Sequence, residues 1–411
     1  MPDEQYRYYR QALDFDVDDY PEDNLKSRMD YFVSEQAKVI LLDYVRKDTT
    51  HMFPQFDFNI VRNQLETGDI AIELLRRDYE VFDVVMICKD WEFPKRVSLI
   101  WNDKENNSKN FWTILLPYLT DVKRIYIALD GEFFFENIEY FTDSTGITMN
   151  DRFSIYRVST TLNIPKDVYI SDIQNAVVYG NLKYADLDEI YSKEINEGYL
   201  SIDKKERGAY NDCWIPLEET KEELKAIFSI FRNVNIQFKD YQGVHGDKMS
   251  FMALNHQKTD LLHLATHGFY HGEDLSEEDE TSSMKRSGLV LSNSAYDISY
   301  TKQSGSVFAN EIANMDLTSV KLLVLSACET AKGKFEDDGV FGLQRGFKQA
   351  GVGCMIMSLK EVNSQMTTEL MRLFYSYFAK GQSVREAFKN AQRQIATKYK
   401  IDNWKYFVII D

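Results

Sequence analysis

Leu261-Leu262-His263-Leu264-Ala265-Thr266-His267-Gly268 and Leu322-Leu323-Val324-Leu325-Ser326-Ala327-Cys328-Glu329-Thr330 are the two stretches that decide how this chain is read. Each begins as a short apolar run, the pattern of a strand covered on both faces. Each run stops at a small residue beside a reactive one. In an open parallel sheet, ligands sit outside the carboxyl ends of the strands. The two stretches therefore propose an imidazole, His267, and a thiol, Cys328, meeting at one sheet edge. They are far apart in sequence, so only the sheet can bring them together.

Around them the third block of the chain, from Ile173 onward, alternates strand and helix. That rhythm predicts right-handed βαβ units and a parallel sheet. The expected strands are Ala176–Gly180, Asn235–Phe238, Leu261–Ala265, Leu322–Leu325, Cys354–Met357 and Tyr406–Ile410. The expected helices are Thr220–Phe231, Lys248–Leu254, Val340–Ala350 closed by Gly351, Thr367–Ala379 and Val384–Lys398. Thr220 followed by Glu223 reads as a capping box with Thr220 as N-cap. A second block, from Phe56, carries strands at Ala71–Leu75, Val81–Cys88, Val97–Trp101, Ile125–Leu129 and Phe153–Val158. Asp130-Gly131 reads as a turn. The first 55 residues are polar, with a helical apolar spacing between Asn24 and Arg46, and read as a helical extension. The domain reading is thus 1–55, 56–172 and 173–411.

Composition narrows the function classes. The chain has 411 residues, a length for two to three domains or one large bilobed unit, and 44% hydrophobic and 14% aromatic residues are enough for sizeable cores. A net charge of −17 argues against a nucleic-acid partner. No apolar run is long enough to span a membrane, and the polar start Met1-Pro2-Asp3-Glu4 does not read as a signal peptide. The cysteines Cys88, Cys213, Cys328 and Cys354 show no CxxC spacing. They fit a reducing cytoplasm and argue against disulfides or a zinc site. Cys88 reads as a buried inert thiol in mid-strand and Cys354 as core.

A thiolate beside an imidazole is the arrangement of nucleophilic acyl transfer. Gly268 leaves its own N–H uncovered, and with the N–H of Cys328 it could form an oxyanion hole; losing one such donor costs about 2.7–4 kcal/mol of barrier. The bland alternatives are a cysteine packed as a small hydrophobe after a strand and a histidine in a turn. His263 reads as a residue packed in the core or one that supports His267 from behind, on the face of His267 if alternation is regular. Metal binding by His263, His267 and His271 is permitted by spacing, but nothing in the strand–loop pattern favours it. No metal and no cofactor are expected.

At these residues the chain resembles the CHAT proteases, caspase-like domains of the clan that includes caspases, gingipains and separase. The resemblance is carried by His263–Tyr270, Ser287–Ser292, Asn310-Glu311-Ile312, Leu323–Thr330, Gly339–Leu343, Ala350-Gly351, Ser358-Leu359, Phe374-Tyr375, Ala391-Gln392 and Trp404–Ile410. It covers residues 173–411 and weakly reaches back to about 56. It implies an α/β fold: a caspase-like three-layer sandwich with a mainly parallel central sheet, preceded by a pseudo-caspase half. It implies His267 as acid–base, Cys328 as nucleophile, and Gly268 and Cys328 as oxyanion donors. It implies a substrate strand along Ser358, Leu359 and Lys360. The specificity pocket falls on Asn181–Asp188, with Asn181, Leu182 and Asp186 as candidates; acids in such a polar loop are otherwise solvated.

The chain departs from the family pattern in three places. Lys360 stands where a Trp is usual, Trp214–Thr220 lacks the usual small Gly, and Thr330-Ala331 replaces Thr-Gly. No tetratricopeptide array is legible; the resemblance leaves it to a removed part or a separate partner.

Relatives imply a protein substrate, a gasdermin or another effector, and an activating protein or ligand in a bacterial defence or cell-death setting. The acidic stretch Glu273–Glu280 reads as a solvated insertion or an activation segment. Two other classes remain open: a catalytically silent caspase-like scaffold that binds protein partners, and a thiol acyltransferase.

Overall fold

The structure is a computed structural model that describes residues 58–78, 81–101, 107–130, 133–134, 136–143, 145–184, 209–210, 213–214, 216–270, 284, 287–292, 305–326, 339–360, 362–399 and 402–411. The expected N-terminal helix, the loop candidate Asp186, the acidic stretch Glu273–Glu280 and Cys328 lie outside these residues. Among the described residues there are two compact units. One runs to Lys166 and includes Ile409–Asp411; the other is Asp167–Val408.

The first unit is built on strands β1 (Asp69–Asp78), β2 (Val81–Cys88), β3 (Lys95–Ile100), β4 (Arg124–Ala128) and β5 (Ser154–Val158). Their order is β3-β2-β1-β4-β5. β1, β4 and β5 are parallel, and β2 and β3 run antiparallel beside them. Alternation splits the strands cleanly between two cores. Ile70, Ile72, Leu74, Ile125 and Ile127 face Phe111, Trp112 and Leu115 of helix α2 (Asn107–Leu115). Ala71, Tyr126, Ala128 and Tyr156 face Val61 of helix α1 (Asn59–Gln64). A short helix α3 (Met149–Arg152), capped by the Thr148 hydroxyl, leads into β5. The chain's last residues pair back here, with the Asp411 N–H on the Arg157 carbonyl at 2.8 Å.

The second unit holds β6 (Asn175–Leu182), a two-stranded piece β7 (Ala209–Tyr210) and β8 (Cys213–Trp214), and helix α4 (Glu219–Asn233). Next come β9 (Gln237–Gly243), helix α5 (Lys248–Met252) and β10 (Leu261–Leu264). A three-stranded ribbon follows, β11 (His267–Tyr270), β12 (Ser287–Val290) and β13 (Ser306–Phe308). After it come α6 (Ala309–Ala313), β14 (Leu322–Leu325), α7 (Gly339–Gln349), β15 (Cys354–Ser358), α8 (Ser364–Phe378), α9 (Val384–Lys398) and β16 (Phe407–Ile410). The sheet order is β15-β14-β10-β6-β9, all parallel.

Three layers follow from register. Val178 pairs with His263 and Tyr179 with Leu264, so each pair shares a face. The His263 face meets Glu223 of α4 and Tyr375 of α8. The Tyr179 face meets Ser250 and Phe251 of α5. Glu311 of α6 holds Lys248 of α5 at 2.7 Å. The strands are apolar along their whole length because both faces are covered. Gly180 is needed on the α4 face: a Cβ there would lie 2.5 Å from Leu224 Cδ1. The mixed α/β architecture with a mostly parallel sheet is the one expected.

Several local expectations are corrected. Thr220 is not an N-cap: α4 starts at Glu219 with no side-chain cap. Its hydroxyl instead donates to the Leu217 carbonyl at 2.6 Å and accepts the Asn181 N–H at 2.8 Å. Cys88 closes β2 and is half-buried, rather than sitting buried in mid-strand. The strand expected at Asn235–Phe238 lies further on, at Gln237–Gly243.

Candidate active site

Two strands carry the site. β6 leaves through α4 toward β9, while β10 leaves in the other direction toward β14. The carboxyl ends of β6 and β10 thus flank the point where strand order reverses. In open α/β sheets that crevice is the place for a ligand. At the β6 end stand Asn181 and Leu182; past the β10 end stand Thr266 and His267.

β10 and β14 are paired in register, Leu261 with Leu322 through Leu264 with Leu325. The Ser326 N–H continues the ladder onto the Leu264 carbonyl at 3.0 Å. His267 follows Leu264 by three residues, and Cys328 follows Leu325 by three. Cys328 itself lies outside the described residues. Ser326, two positions before it, is buried, and among the described residues its Oγ has no hydrogen-bond partner.

The step from β10 to His267 is a built turn rather than a continued strand. The Ala265 N–H donates to the Tyr179 carbonyl at 2.9 Å. Buried Thr266 donates its hydroxyl to the Val290 carbonyl and meets the Tyr184 hydroxyl at 3.0 Å. With the Thr266 proton committed to Val290, Tyr184 is the donor of that second bond. His267 then opens β11, paired with Val290, and Gly268 pairs with Leu289. Gly288 permits this ribbon: a Cβ there would lie 2.5 Å from the Val307 carbonyl oxygen and 2.6 Å from Phe269 Cζ.

His267 is only 1% exposed. Two aromatic rings abut its imidazole, Tyr184 with ring centroids 5.0 Å apart and Trp214 at 5.1 Å. Tyr184 is fully buried; Trp214 is half-buried and also approaches Phe269 at 6.4 Å. Sequence reasoning missed both neighbours. Tyr184 was readable only as part of a polar loop, and Trp214 only as a departure from the family pattern.

His263 has different surroundings. Its strand ends before His267, so alternation does not carry from one to the other. His263 is wholly buried, its Nδ1 3.1 Å from the Tyr375 hydroxyl. Its Nε2 lies 3.0 Å from Glu223 Oε1, close in distance but not aligned as a hydrogen bond. Of the two roles expected for His263, the packed one is observed. Burial also pushes the Tyr375 hydroxyl well above the usual tyrosine range.

The other candidates are placed as follows. Asn181 adopts the left-handed region, φ 51°, and its amide donates to Gln242 Oε1 at 3.3 Å. Left-handed backbone at a non-glycine residue is uncommon and concentrates at functional sites. Leu182 is buried, packed where Gly246 leaves room for it. Ser358 ends β15 and Leu359 is buried, its N–H already donated to the Tyr406 carbonyl at 2.9 Å. Ser358 Oγ donates to the Lys360 carbonyl, and Lys360 Nζ lies over the Tyr406 ring at 5.1 Å. A peptide pairing along this segment would therefore have to do without the Leu359 N–H. Among the described side chains two other thiols are poor nucleophiles: burial pushes Cys88 up to about 12, and burial likewise raises Cys354. Among the described residues no cluster of His, Cys, Asp or Glu could hold a metal ion.

The sequence matches the CHAT domain over residues 109–410. The chain belongs to the CHAT domain family. The match begins inside the first unit, short of residue 56 where the weaker resemblance was expected to start. Tetratricopeptide repeat protein 28 of Mus musculus is 34% identical over 96 residues, 22% of this chain and 4% of that protein. Among solved structures, the Arg-specific cysteine proteinase gingipain R matches with TM-score 0.44 and 8% identity, over 74% of this chain and 66% of that one. Separase in the Saccharomyces cerevisiae separase–securin complex matches with TM-score 0.38 and 12% identity, over 75% of this CHAT chain and 17% of that chain.

Proposed function

We propose that this CHAT domain is a cysteine endopeptidase that hydrolyses a peptide bond in a specific protein substrate. The observation that carries the reading is the register of Leu264 with Leu325, with an imidazole and a thiol each three residues beyond. Family membership supports the same chemistry.

In this reading the Cys328 thiolate attacks the scissile carbonyl carbon, and the carbonyl oxygen takes up the negative charge. The backbone N–H groups of Gly268 and Cys328 receive that oxyanion. His267, protonated by the thiol, gives its proton to the leaving amine as the C–N bond breaks. A thioester to Cys328 remains. His267 then takes a proton from water, the hydroxide adds to the thioester, and a carboxylate leaves as the thiol is restored. No cofactor enters.

Asn181, Leu182 and Asp186 are proposed to shape the pocket for the residue before the cut. Ser358, Leu359 and Lys360 are proposed to align the peptide. Activation by a partner or signal, a cytoplasmic setting, and a substrate such as a gasdermin or another effector of a bacterial defence or cell-death pathway complete the proposal. No helix among the described residues is long and apolar enough to cross a membrane.

One observation favours the silent-scaffold reading: His267 is 1% exposed. Co-expression with candidate substrates, comparing wild type with Cys328→Ala and mapping any cut, separates the two. Cleavage that survives Cys328→Ala, or no cleavage of any substrate by an activated wild-type chain, sinks the peptidase reading.

A further inference from the structure

His267 touches two rings of unequal standing. Tyr184 is wholly buried, and its hydroxyl is tied to Thr266 at 3.0 Å. It is a fixed wall. Trp214 is half-buried and pairs with Ala209 across an antiparallel piece, Cys213–Trp214 beside Ala209–Tyr210. Its indole rests on the imidazole at 5.1 Å and near Phe269 at 6.4 Å. Ring contacts of this kind are individually weak. An imidazole buried to 1% cannot pass a proton to a peptide amine or a water, which must approach within hydrogen-bond distance. Of the two rings, Trp214 is the one that reaches solvent, and among the described residues no hydrogen bond ties its indole.

We propose that Trp214 is the access residue of His267: its indole closes the imidazole in the resting chain and must swing away before substrate can meet it. The proposal rests on the reading of His267 as the acid–base group. It also accounts for a buried His267 in a working enzyme, since observed reactivity scales with the fraction of molecules in the open state. Tyr184 stays in place in both states and keeps the ring plane fixed through Thr266 and Val290.

The test is carbethoxylation of the full-length protein by diethyl pyrocarbonate, followed histidine by histidine with mass spectrometry. Exposed His245 is the internal reference, and His263, wholly buried beneath α4 and α8, reports loss of fold. In the wild type, His267 should react at least ~10-fold more slowly than His245, the scaling expected for a minor open state. Trp214→Ala should raise the His267 rate about 10-fold or more, with His245 unchanged and His263 still protected. Trp214→Phe, which keeps a ring at the position, should restore protection.

An unchanged His267 rate in Trp214→Ala overturns the proposal, and so does a wild-type His267 as reactive as His245. Should Trp214→Ala also expose His263, the fold has been lost; Trp214→Leu and the wild-type rate ratio then decide on the same readout. The readout needs no proteolysis. If Trp214 controls His267 access yet no variant cleaves any substrate, the peptidase reading fails and this one stands. With an active chain, Trp214→Phe should keep the wild-type pH profile, whereas Trp214→Ala should raise kcat/KM on a short peptide about 10-fold, the same shift in open population.

Discussion

Leu264 and Leu325 are register partners in adjacent parallel strands, and that pairing aligns the strands that lead to His267 and Cys328. A one-residue slip between β10 and β14 would turn every inward side chain to the other face. The register is held at both ends. At the start, Asp260 accepts the N–H groups of Gln174 and Asn175 at 3.0 and 2.9 Å and holds Lys321 at 2.9 Å. At the finish, the Ser326 N–H reaches the Leu264 carbonyl. One carboxylate thus fastens the amino ends of β6, β10 and β14. Burial works against its charge, but the Asn175 N–H and Lys321 outweigh it and bring Asp260 below the usual range.

Removal of His267, the proposed acid–base group, should leave the fold standing. His267→Ala is expected to lower kcat by about 10²- to 10⁴-fold, the usual worth of a positioned acid–base. Cys328→Ala should abolish turnover. Both variants should unfold within a few degrees of the wild type, since neither removes the strand register. Steady-state kinetics on the mapped substrate with a thermal melt checks this; a His267→Ala variant with full activity would contradict it.

His263 should behave in the opposite way. It is buried against Glu223 and Tyr375, with Thr368 also 3.4 Å from Glu223 Oε2. Removing one member of such a network leaves the others buried and uncompensated, a loss of about 3–5 kcal/mol. His263→Ala is therefore expected to shift the denaturant midpoint strongly. Activity per folded molecule should change little, because His263 is held by Glu223 and Tyr375 whereas the rings against His267 are Tyr184 and Trp214. Urea titration beside an active-site titration separates the two effects.

Much of this was legible in the sequence, and the limits were physical. β2, β14 and α9 were placed to the residue because their apolar patterns are unbroken and their ends are marked by turns or a Ser383 cap. β9 was misplaced because it is an edge strand whose exposed Lys239 and Asp240 erase the apolar run. Charges of this kind protect a sheet edge from pairing with another chain. Helix α2 went unread because its pattern starts in a polar stretch. Thr220 misled as a cap because a threonine hydroxyl serves equally well to bind another loop, here the end of β6 at Asn181. The strand order, and with it the reversal between β6 and β10, is a tertiary property with no local signal. The aromatic neighbours of His267 are of the same kind: Trp214 is 53 residues away in the chain.

Alkylation should separate Cys328 from Cys88 and Cys354. Burial pushes Cys88 up to about 12, so at pH 8 only about 10⁻⁴ of it is thiolate. Cys354 is raised by burial in the same direction. Iodoacetamide at pH 8 is expected to leave both unmodified while Cys328 reacts. The Cys88 rate should climb about tenfold per pH unit up to that value, since the thiolate fraction does. Peptide mapping across pH 7 to 10 reads this directly; fast alkylation of Cys88 or Cys354 at pH 8 would show that their burial is not maintained.

The Gly288→Ala variant tests whether the ribbon holds His267. The added methyl would sit 2.5 Å from a backbone oxygen and 2.6 Å from the Phe269 ring, and the backbone oxygen cannot move aside cheaply. Overpacking of this sort costs about 1–3 kcal/mol. The strain falls on β12, the partner of His267 and Gly268. Turnover should therefore drop well beyond what the thermal shift accounts for. Gly381→Ala, a left-handed glycine with φ 88° and open space around it, is the control, expected to lose stability from backbone strain without a matching loss of turnover per folded molecule.

Acid should loosen the second unit partly through Glu369. Its carboxylate bonds both Arg372 nitrogens at 2.9 Å and Lys398 at 3.2 Å, joining α8 to α9. Arg372 first, then Lys398, holds its pKa down at about 2. A carboxyl depressed in the folded state stabilises above its unfolded value of about 4.3 and loses that contribution as pH falls through the folded value. The window is therefore from about pH 4.5 down to 2. The group is partly exposed and screened, so the stake is below about 1 kcal/mol. Glu369→Gln should be slightly less stable than wild type at pH 7 and should show a shallower stability loss between pH 4.5 and 2. Denaturant midpoints of the two proteins should thus converge toward pH 2; a gap that widens on acidification would place the stabilising charge elsewhere.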